Sequence, residues 1–166
     1  MTPNPDPTLI LVTGVSGSGK TTLIERLVPI LRARGLRVAT IKHAHHGFEM
    51  DRPGKDSWRH AQAGAEAVCV IAPQQVAWLM ATAEALPVEQ AVRPMAGRVD
   101  LVLVEGFKHV THRCAIALEP GSQRLAMEPS RCRIGAHPAT LTPDELERIA
   151  EFCVELTRER HACPPR

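Results

Sequence analysis

A glycine-rich stretch near the start constrains the fold of this chain more than any other feature. Residues 14–21 read GVSGSGKT, which matches the spacing GxxxxGK[ST] at every fixed position. An apolar run at residues 9–12 precedes the stretch, and a segment with helical spacing of its leucines follows from residue 20 to residue 34. A strand that leads through such a loop into a helix is the context of a phosphate-binding loop, or P-loop. The sequence therefore predicts an α/β protein that binds a phosphorylated ligand.

Each part of the loop has a chemical role in holding phosphate. Glycines adopt positive φ, so successive backbone N–H groups can point at phosphate oxygens. The start of the helix adds the positive end of its dipole, the Lys20 ammonium meets the β and γ phosphates, and the Thr21 hydroxyl is a ligand for Mg²⁺. We therefore predict that the ligand is a nucleotide polyphosphate. The predicted nucleotide-binding residues are Gly14, Ser16, Gly17, Ser18, Gly19, Lys20, Thr21 and Thr22.

The rest of the chain alternates apolar runs with helical segments. The four runs that predict strands buried on both faces of a parallel sheet are residues 9–12, 36–41, 67–72 and 101–104. Residues 142–145 read TPDE, a capping box that predicts the start of a last helix. This alternation predicts a P-loop NTPase-like three-layer fold with a mainly parallel sheet flanked by helices. We expect one nucleotide-binding domain over residues 8–160, between a flexible leader at 1–7 and a frayed tail at 161–166.

A P-loop also needs an acidic side chain at the end of a neighbouring strand to help hold magnesium. The predicted strand at residues 101–104 has Asp100 at its start and Glu105 at its end. Ligands of open α/β sheets bind at the carboxyl edge, so Glu105 is the candidate and Asp100 lies at the wrong end. We predict that Thr21 and Glu105 bind the metal and that Lys20 and Glu105 are catalytic. The alternative is that Glu105 is a solvated loop carboxylate.

A second group of polar residues follows the predicted strand at residues 36–41. Residues 42–57 form a loop long enough to be functional, and it emerges at the same edge of the sheet. Its cations and histidines suit an anionic ligand such as a second phosphate group. Asp56 can orient magnesium or water as a catalytic residue, or simply cap a helix. We assign to this second-ligand loop Lys42, His43, His45, Asp51, Lys55 and Asp56.

Two other interpretations of the second-ligand loop remain open. Clusters of charged side chains are usually solvated surface, with no ligand at all. Alternatively, His43 and His45 share one side of an extended chain and His46 is adjacent, which is compatible with a metal site.

Composition excludes several classes of protein. The formal net charge is +2 and the basic residues form no concentrated stripe, which argues against a nucleic-acid binder. The five cysteines are odd in number and form no CxxC pair, which favours a reducing compartment over a disulfide framework. The first apolar run is too short for a signal-peptide core or a membrane span. We therefore expect a protein of the cytoplasm that does not insert into membranes.

Several motifs together resemble one known family. They are GVSGSGKTT, IKHAHHGFEMDRPGKDS, AGA at residues 63–65, APQQVAWLM at residues 72–80 and DLVLVEGFKH at residues 100–109. In order and spacing over about residues 8–110, they are similar to molybdopterin-guanine dinucleotide biosynthesis protein B. A P-loop alone is generic, whereas IKH with DxPGKDS and LVEGFKH is specific to this group.

The resemblance implies a GTP-binding P-loop protein that forms a homodimer, has weak GTPase activity, and assists the guanylyltransferase that attaches GMP to molybdopterin. Lys20, Thr21 and Glu105 then carry the nucleotide and Mg²⁺ roles argued above. The second-ligand loop, together with Gly106 and Lys108, faces the nucleotide or the phosphate of the pterin. The carboxyl-terminal third departs from the family pattern, because it contains no NKxD and residues 111–140 diverge. The residues therefore leave ATP open as well as GTP.

Two other functions compete with the adapter. A small-molecule kinase would hold an acceptor hydroxyl in the second-ligand loop, with Asp51 or Asp56 as its base. A metallochaperone GTPase would bind nickel or zinc through His43, His45 and His46. The sequence contains no evident water-positioning glutamine and nothing that places Arg52 or Arg59 on a γ phosphate. We therefore predict slow turnover and a mainly adapter role.

Overall fold

A computed structural model of the chain describes residues 6–44, 47–107 and 114–162. Its strands are β1 Thr8–Gly14, β2 Val38–Lys42, β3 Ala67–Ala72, β4 Gln75–Met80, β5 Leu101–Glu105, β6 Ala115–Leu118, β7 Ala126–Glu128 and β8 Arg131–Ile134. Its helices are α1 Lys20–Ala33, α2 Asp56–Gln62, α3 Val88–Val92 and α4 Pro143–Ala162, with short 3₁₀ turns at Arg93–Met95 and Pro138–Thr140.

The chain divides into two compact units. One unit, the P-loop unit, comprises Met1–His43 together with Val92–Arg166. The other, the hairpin unit, comprises Ala44–Ala91.

The P-loop unit is built on a six-stranded sheet in the order β2-β5-β1-β6-β8-β7. Every pair is parallel except the edge pair of β7 and β8. This confirms the predicted mainly parallel sheet, and the chain visits first one side of β1 and then the other. Ligands of such sheets bind at the carboxyl ends of the strands where the order reverses.

The core of this unit lies between the sheet and the helices α1 and α4. Leu23, Leu27 and Leu31 of α1 are fully buried, as their spacing predicts. Successive residues of β1 and β5 are buried as well, so both faces of the central strands are covered. Cys132 and Cys153 belong to this core, and burial raises the pKa of Cys132 to about 12. Such thiols stay protonated at neutral pH.

The predicted capping box begins α4. The Thr142 hydroxyl accepts from the backbone N–H of Glu145 at 3.2 Å, and the Glu145 carboxylate accepts from the N–H of Thr142 at 2.8 Å. Arg124 also donates to the Glu145 carboxylate, at 2.5 and 2.9 Å. These hydrogen bonds, that from Arg124 foremost, lower the pKa of Glu145 from 4.5 to about 2.

The hairpin unit corrects one sequence prediction. The run at Ala67–Ala72 is a strand, but the prediction that it is buried in the parallel sheet is wrong. It pairs antiparallel with β4 in a separate two-stranded sheet, and Val68 is its one buried residue. Apolar, β-branched residues predict a strand without specifying its partner, and the two residues between β3 and β4 close a tight hairpin instead.

None of the helices within residues 6–44, 47–107 and 114–162 has both the length and the apolar character needed to cross a bilayer.

Candidate functional site

The carboxyl edge of the large sheet brings several predicted residues together. In the parallel register, Glu105 at the end of β5 is the partner of both Val12 in β1 and Lys42 in β2. β1 ends at Gly14, and the loop then leads directly into α1 at Lys20. The predicted order of strand, loop and helix is therefore confirmed, with Thr22 half-buried in the first turn of the helix.

Two glycines of the loop are required by close packing. A Cβ on Gly14 would lie 2.7 Å from Ser18 Oγ and 2.9 Å from the Leu118 carbonyl oxygen, and the residue has φ +147°. A Cβ on Gly19 would lie 2.7 Å from Pro138 Cδ, at φ +90°. Both conditions exclude other residues, so the motif glycines shape the loop as well as opening its N–H groups.

The Lys20 side chain folds back over the loop to reach its start. Its ammonium donates to the carbonyl oxygens of Gly14 at 3.1 Å and Val15 at 2.8 Å. The Lys20 charge is thus held within the loop whose N–H groups are predicted to surround phosphate. An anion bound there would be stabilised by both the charge and the N–H groups.

Thr21 and Glu105 meet although 84 residues separate them. The Thr21 hydroxyl donates to the two Glu105 carboxylate oxygens at 2.9 and 3.1 Å. The Lys42 ammonium lies 3.8 Å from Glu105 Oε1, and the Glu105 side chain is only 14% exposed. A hydroxyl and a carboxylate side by side are oxygen ligands of the kind that Mg²⁺ prefers, so these residues fit the ion. The alternative of a solvated loop carboxylate is wrong for Glu105.

The turn after Glu105 packs against the end of β2. The His43 ring stacks on the Phe107 ring with centroids 4.2 Å apart. The backbone N–H of His43 donates to the backbone carbonyl of Glu105 at 2.9 Å. A Cβ on Gly106 would lie 3.0 Å from His43 Cβ, which explains the glycine there. The predicted residues His45 and Lys108, with His46, lie outside the described residues. Within the described ranges, no group of three or more His, Cys, Asp or Glu side chains is placed to hold a metal.

The other residues of the second-ligand loop belong to the hairpin unit. Asp51, Lys55 and Asp56 line a cavity of about 520 Å³ with Arg52, Ser57, His60 and part of β3. Asp51 Oδ1 accepts from the backbone N–H of Arg52 at 2.8 Å and from the Ser57 hydroxyl at 3.0 Å. The capping interpretation of Asp56 is wrong, because Lys55 occupies the N-cap position and Asp56 is the first helical residue.

Sequence reasoning missed the segment that follows β8. Its His137 Nε2 would lie 3.0 Å from a Cβ on Gly19, directly beside the P-loop. Arg26 of α1 holds this segment by donating to the carbonyl oxygens of Pro138 at 2.5 Å and Leu141 at 3.0 Å. No local sequence signal marks a contact between residues 112 positions apart.

Comparisons with known proteins agree with the motifs. A family model described as Molybdopterin guanine dinucleotide synthesis protein B matches residues 9–128. The molybdopterin-guanine dinucleotide biosynthesis adapter protein of Escherichia coli is 33% identical over 159 residues, covering 88% of this chain and 91% of that protein. The protein of the same description from Haemophilus influenzae is 45% identical over 101 residues, covering 60% of this chain and 57% of that protein. The chain thus matches little more than half the length of the latter relative.

Solved structures are similar as well. A crystal structure of molybdopterin-guanine biosynthesis protein B superposes with a TM-score of 0.64 at 32% sequence identity. The match covers 90% of this chain and 99% of the chain in that structure. Bacillus subtilis MobB gives the same TM-score at 20% identity, with coverage of 88% and 98%, and shows likeness of fold alone. These neighbours confirm the predicted P-loop NTPase-like fold class.

Proposed function

Because this chain belongs to the molybdopterin guanine dinucleotide synthesis protein B family, we propose that it is a GTP-binding adapter with weak GTPase activity. It would assist the conversion of molybdopterin cofactor to its guanine dinucleotide form, working in the cytoplasm beside a molybdenum cofactor guanylyltransferase. The E. coli and H. influenzae relatives, each described as an adapter protein of this biosynthesis, support that role.

Nucleotide binding is supported by one observation above all. The P-loop, the Lys20 ammonium and the Thr21 hydroxyl lie together at the carboxyl edge of the sheet. Lys20 and Thr21 open α1, and the loop before them needs glycine at two positions for its shape. A triphosphate bound there would meet the N–H groups of residues 14–19 and the Lys20 ammonium. Its negative charge would also be favoured by the dipole of a 14-residue helix.

Magnesium is the metal that the site supports. Thr21 Oγ1 and the Glu105 carboxylate would hold the ion, and the existing hydrogen bond of 2.9 Å already keeps them adjacent. Bound Mg²⁺ supplies positive charge to the β and γ phosphate oxygens. The Lys42 ammonium, 3.8 Å from Glu105 Oε1, adds a positive charge beside this carboxylate.

Slow hydrolysis follows from what surrounds Glu105. Among the described residues, the side chains recorded in contact with its carboxylate are the Thr21 hydroxyl and the Lys42 ammonium, and neither can take a proton from an attacking water. GTPases that lack an arginine finger turn over at about 10⁻⁴ to 10⁻³ per second. We therefore expect a rate in this range for the protein alone, with the nucleotide acting mainly as a signal to the partner.

The cavity of the hairpin unit is the proposed second-ligand site. Arg52, Lys55 and His60 line it and suit a phosphate, while Asp51 and Asp56 can accept from the N–H groups of a heterocycle. The phosphate and pterin of the molybdopterin cofactor combine these two chemistries. Asp56 is the residue we assign to ordering water or a metal-bound group at this ligand.

The hairpin also presents a surface for a second copy of the chain. Trp78 is opposite Cys69 in the register, and Val76 is opposite Ile71, so these side chains share one face. Trp78 is 66% exposed and Ile71 is 76% exposed. An exposed apolar face of this kind commonly marks a protein interface. We propose that it forms the homodimer.

Calorimetric titration tests the function directly. GTP with Mg²⁺ should bind the wild-type protein, and addition of the guanylyltransferase should change the GTP affinity if the protein is an adapter. Single-turnover assays should give hydrolysis near the slow rate above. Turnover of tens per second without a partner would contradict the adapter role and indicate an enzyme. Release of nucleoside diphosphate that requires a small-molecule acceptor would do the same.

A further inference from the structure

A second lysine lies at the carboxyl edge of the sheet near the P-loop. Lys42 ends β2, and the parallel register places it opposite Glu105 of β5, which in turn is opposite Val12 of β1. The backbone N–H of His43 donates to the backbone carbonyl of Glu105 at 2.9 Å, so the pairing continues one residue past Lys42. The backbone of Lys42 is therefore fixed beside Glu105, and its side chain is the part that can change position.

The Lys42 side chain is held loosely. It is 66% exposed, and its ammonium lies 3.8 Å from Glu105 Oε1, which is beyond hydrogen-bond distance. Exposed ion pairs of this kind stabilise a fold little. The Thr21 hydroxyl binds the same carboxylate more closely, because it donates to both oxygens at 2.9 and 3.1 Å. The Lys42 charge therefore contributes little to the fold, and its ammonium can leave for a stronger partner.

One function of the Lys42 charge is to offset that of Glu105. The Glu105 side chain is only 14% exposed, and among the described residues Lys42 is the cation recorded within ion-pair distance of it. A carboxylate at a phosphate-binding edge repels phosphate unless a cation accompanies it. Thr21 and Glu105 together offer oxygen ligands to Mg²⁺, which carries twice the charge of an ammonium. Once Glu105 binds the metal, its carboxylate no longer requires the lysine.

The γ phosphate of a bound nucleotide would be the next partner for the ammonium. In P-loop proteins the metal that the loop hydroxyl binds also bridges oxygens of the β and γ phosphates. The Thr21 hydroxyl and the Lys42 ammonium approach the same Glu105 oxygen, at 2.9 and 3.8 Å, so Lys42 lies close to that metal position. A lysine has three N–H donors on a flexible four-carbon stem, and rotation of the stem can carry them to a nearby phosphate.

From these contacts we infer that Lys42 exchanges partners when the nucleotide binds. Its ammonium leaves Glu105 as that carboxylate takes up Mg²⁺, and it then donates to the γ phosphate. This inference rests on the nucleotide binding proposed above. Lys42 thereby distinguishes a nucleoside triphosphate from a diphosphate, because a diphosphate offers it no γ phosphate oxygen. The lysine thus senses the phosphate group that hydrolysis removes.

Calorimetric titration with GTP and with GDP, each in Mg²⁺ and again in EDTA, tests the exchange. Lys42→Met removes the charge and keeps most of the stem. A charge-assisted hydrogen bond changes an affinity by about tenfold to a hundredfold, and loss of an exposed ion pair offsets at most about fivefold. Lys42→Met should therefore weaken the binding of GTP in Mg²⁺ by about tenfold. GDP in Mg²⁺, and GTP in EDTA, should stay within about threefold of their wild-type affinities.

Two further variants make the result specific to the charge at this position. Lys42→Arg keeps a cation with N–H donors and should recover most of the affinity for GTP in Mg²⁺. The matched control is Arg32→Met, which removes the same charge from an exposed position on α1. It should bind both nucleotides as the wild-type protein does, with and without the metal.

Wild-type affinity for GTP in Mg²⁺ in the Lys42→Met variant would overturn the inference. An equal loss of affinity for GDP would overturn it as well, because it would place the ammonium away from the γ phosphate. An equal loss for GTP in EDTA would show that Lys42 acts independently of the metal, which excludes the exchange. If the wild-type protein bound neither GTP nor GDP, the proposed function itself would fail, and this inference with it.

Discussion

Replacement of Lys20 by alanine tests the nucleotide site at its most charged point. A charge-assisted hydrogen bond contributes about 1.5–3 kcal/mol, and each 1.4 kcal/mol changes a dissociation constant about tenfold. On binding, the ammonium must give up its bonds to the Gly14 and Val15 carbonyl oxygens, at 3.1 and 2.8 Å, which offsets part of the gain. We therefore expect Lys20→Ala to weaken GTP binding by about tenfold to a hundredfold.

The same change should leave the fold almost untouched. Lys20 is the first residue of α1, where a cation opposes the helix dipole by about 0.3–1 kcal/mol. Its loss roughly balances the loss of the two carbonyl bonds, so the free energy of unfolding in urea should change little. Arg32→Ala is the control, since it removes the same charge from an exposed position on the same helix. Equal GTP affinity in Lys20→Ala and in the wild-type protein would refute the assignment of the loop.

Four further changes test separate parts of the molecule. Thr21→Val should abolish the gain in GTP affinity that Mg²⁺ brings, as measured by calorimetry with and without the ion; a full gain would exclude Thr21 as a ligand. Glu145→Gln should lower the melting temperature near neutral pH, and because the folded-state pKa is lowered from 4.5 to about 2, this difference should be complete above pH 4.5 and fade as the pH falls towards 2. A difference that persisted unchanged at low pH would assign the effect to something other than the carboxylate charge. Leu27→Ala should reduce the free energy of unfolding in urea by about 2–5 kcal/mol, since the side chain is fully buried, and a loss below about 1 kcal/mol would contradict that packing. Trp78→Asp should convert a dimer into monomers in sedimentation experiments, and an unchanged dimer would place the interface elsewhere.

Sequence patterns predicted the elements that depend only on residues close together in the chain. The P-loop and the capping box each depend on side chains within a few residues of one another, so their spacing in the sequence is enough. The contact of Thr21 with Glu105 spans 84 residues, yet it follows from a general rule, because parallel strands bring their carboxyl ends to one edge.

The features that escaped prediction depend on tertiary context. The run at Ala67–Ala72 has strand composition, but nothing within it distinguishes a central parallel strand from an exposed hairpin. The hydrogen bond from Arg26 to Pro138 joins residues 112 apart with no rule to relate them. His137 lies beside Gly19 only in the folded chain.

The hairpin of β3 and β4 buries little of its own apolar surface, and this gives the protein a gradient of local stability. Segments with few buried contacts open at low free energy, whereas fully covered strands open only with the whole fold. Amide protons of the hairpin are therefore expected to exchange with deuterium long before those of β1 and β5. As the temperature rises, the hairpin is therefore expected to unfold before the sheet that carries the P-loop.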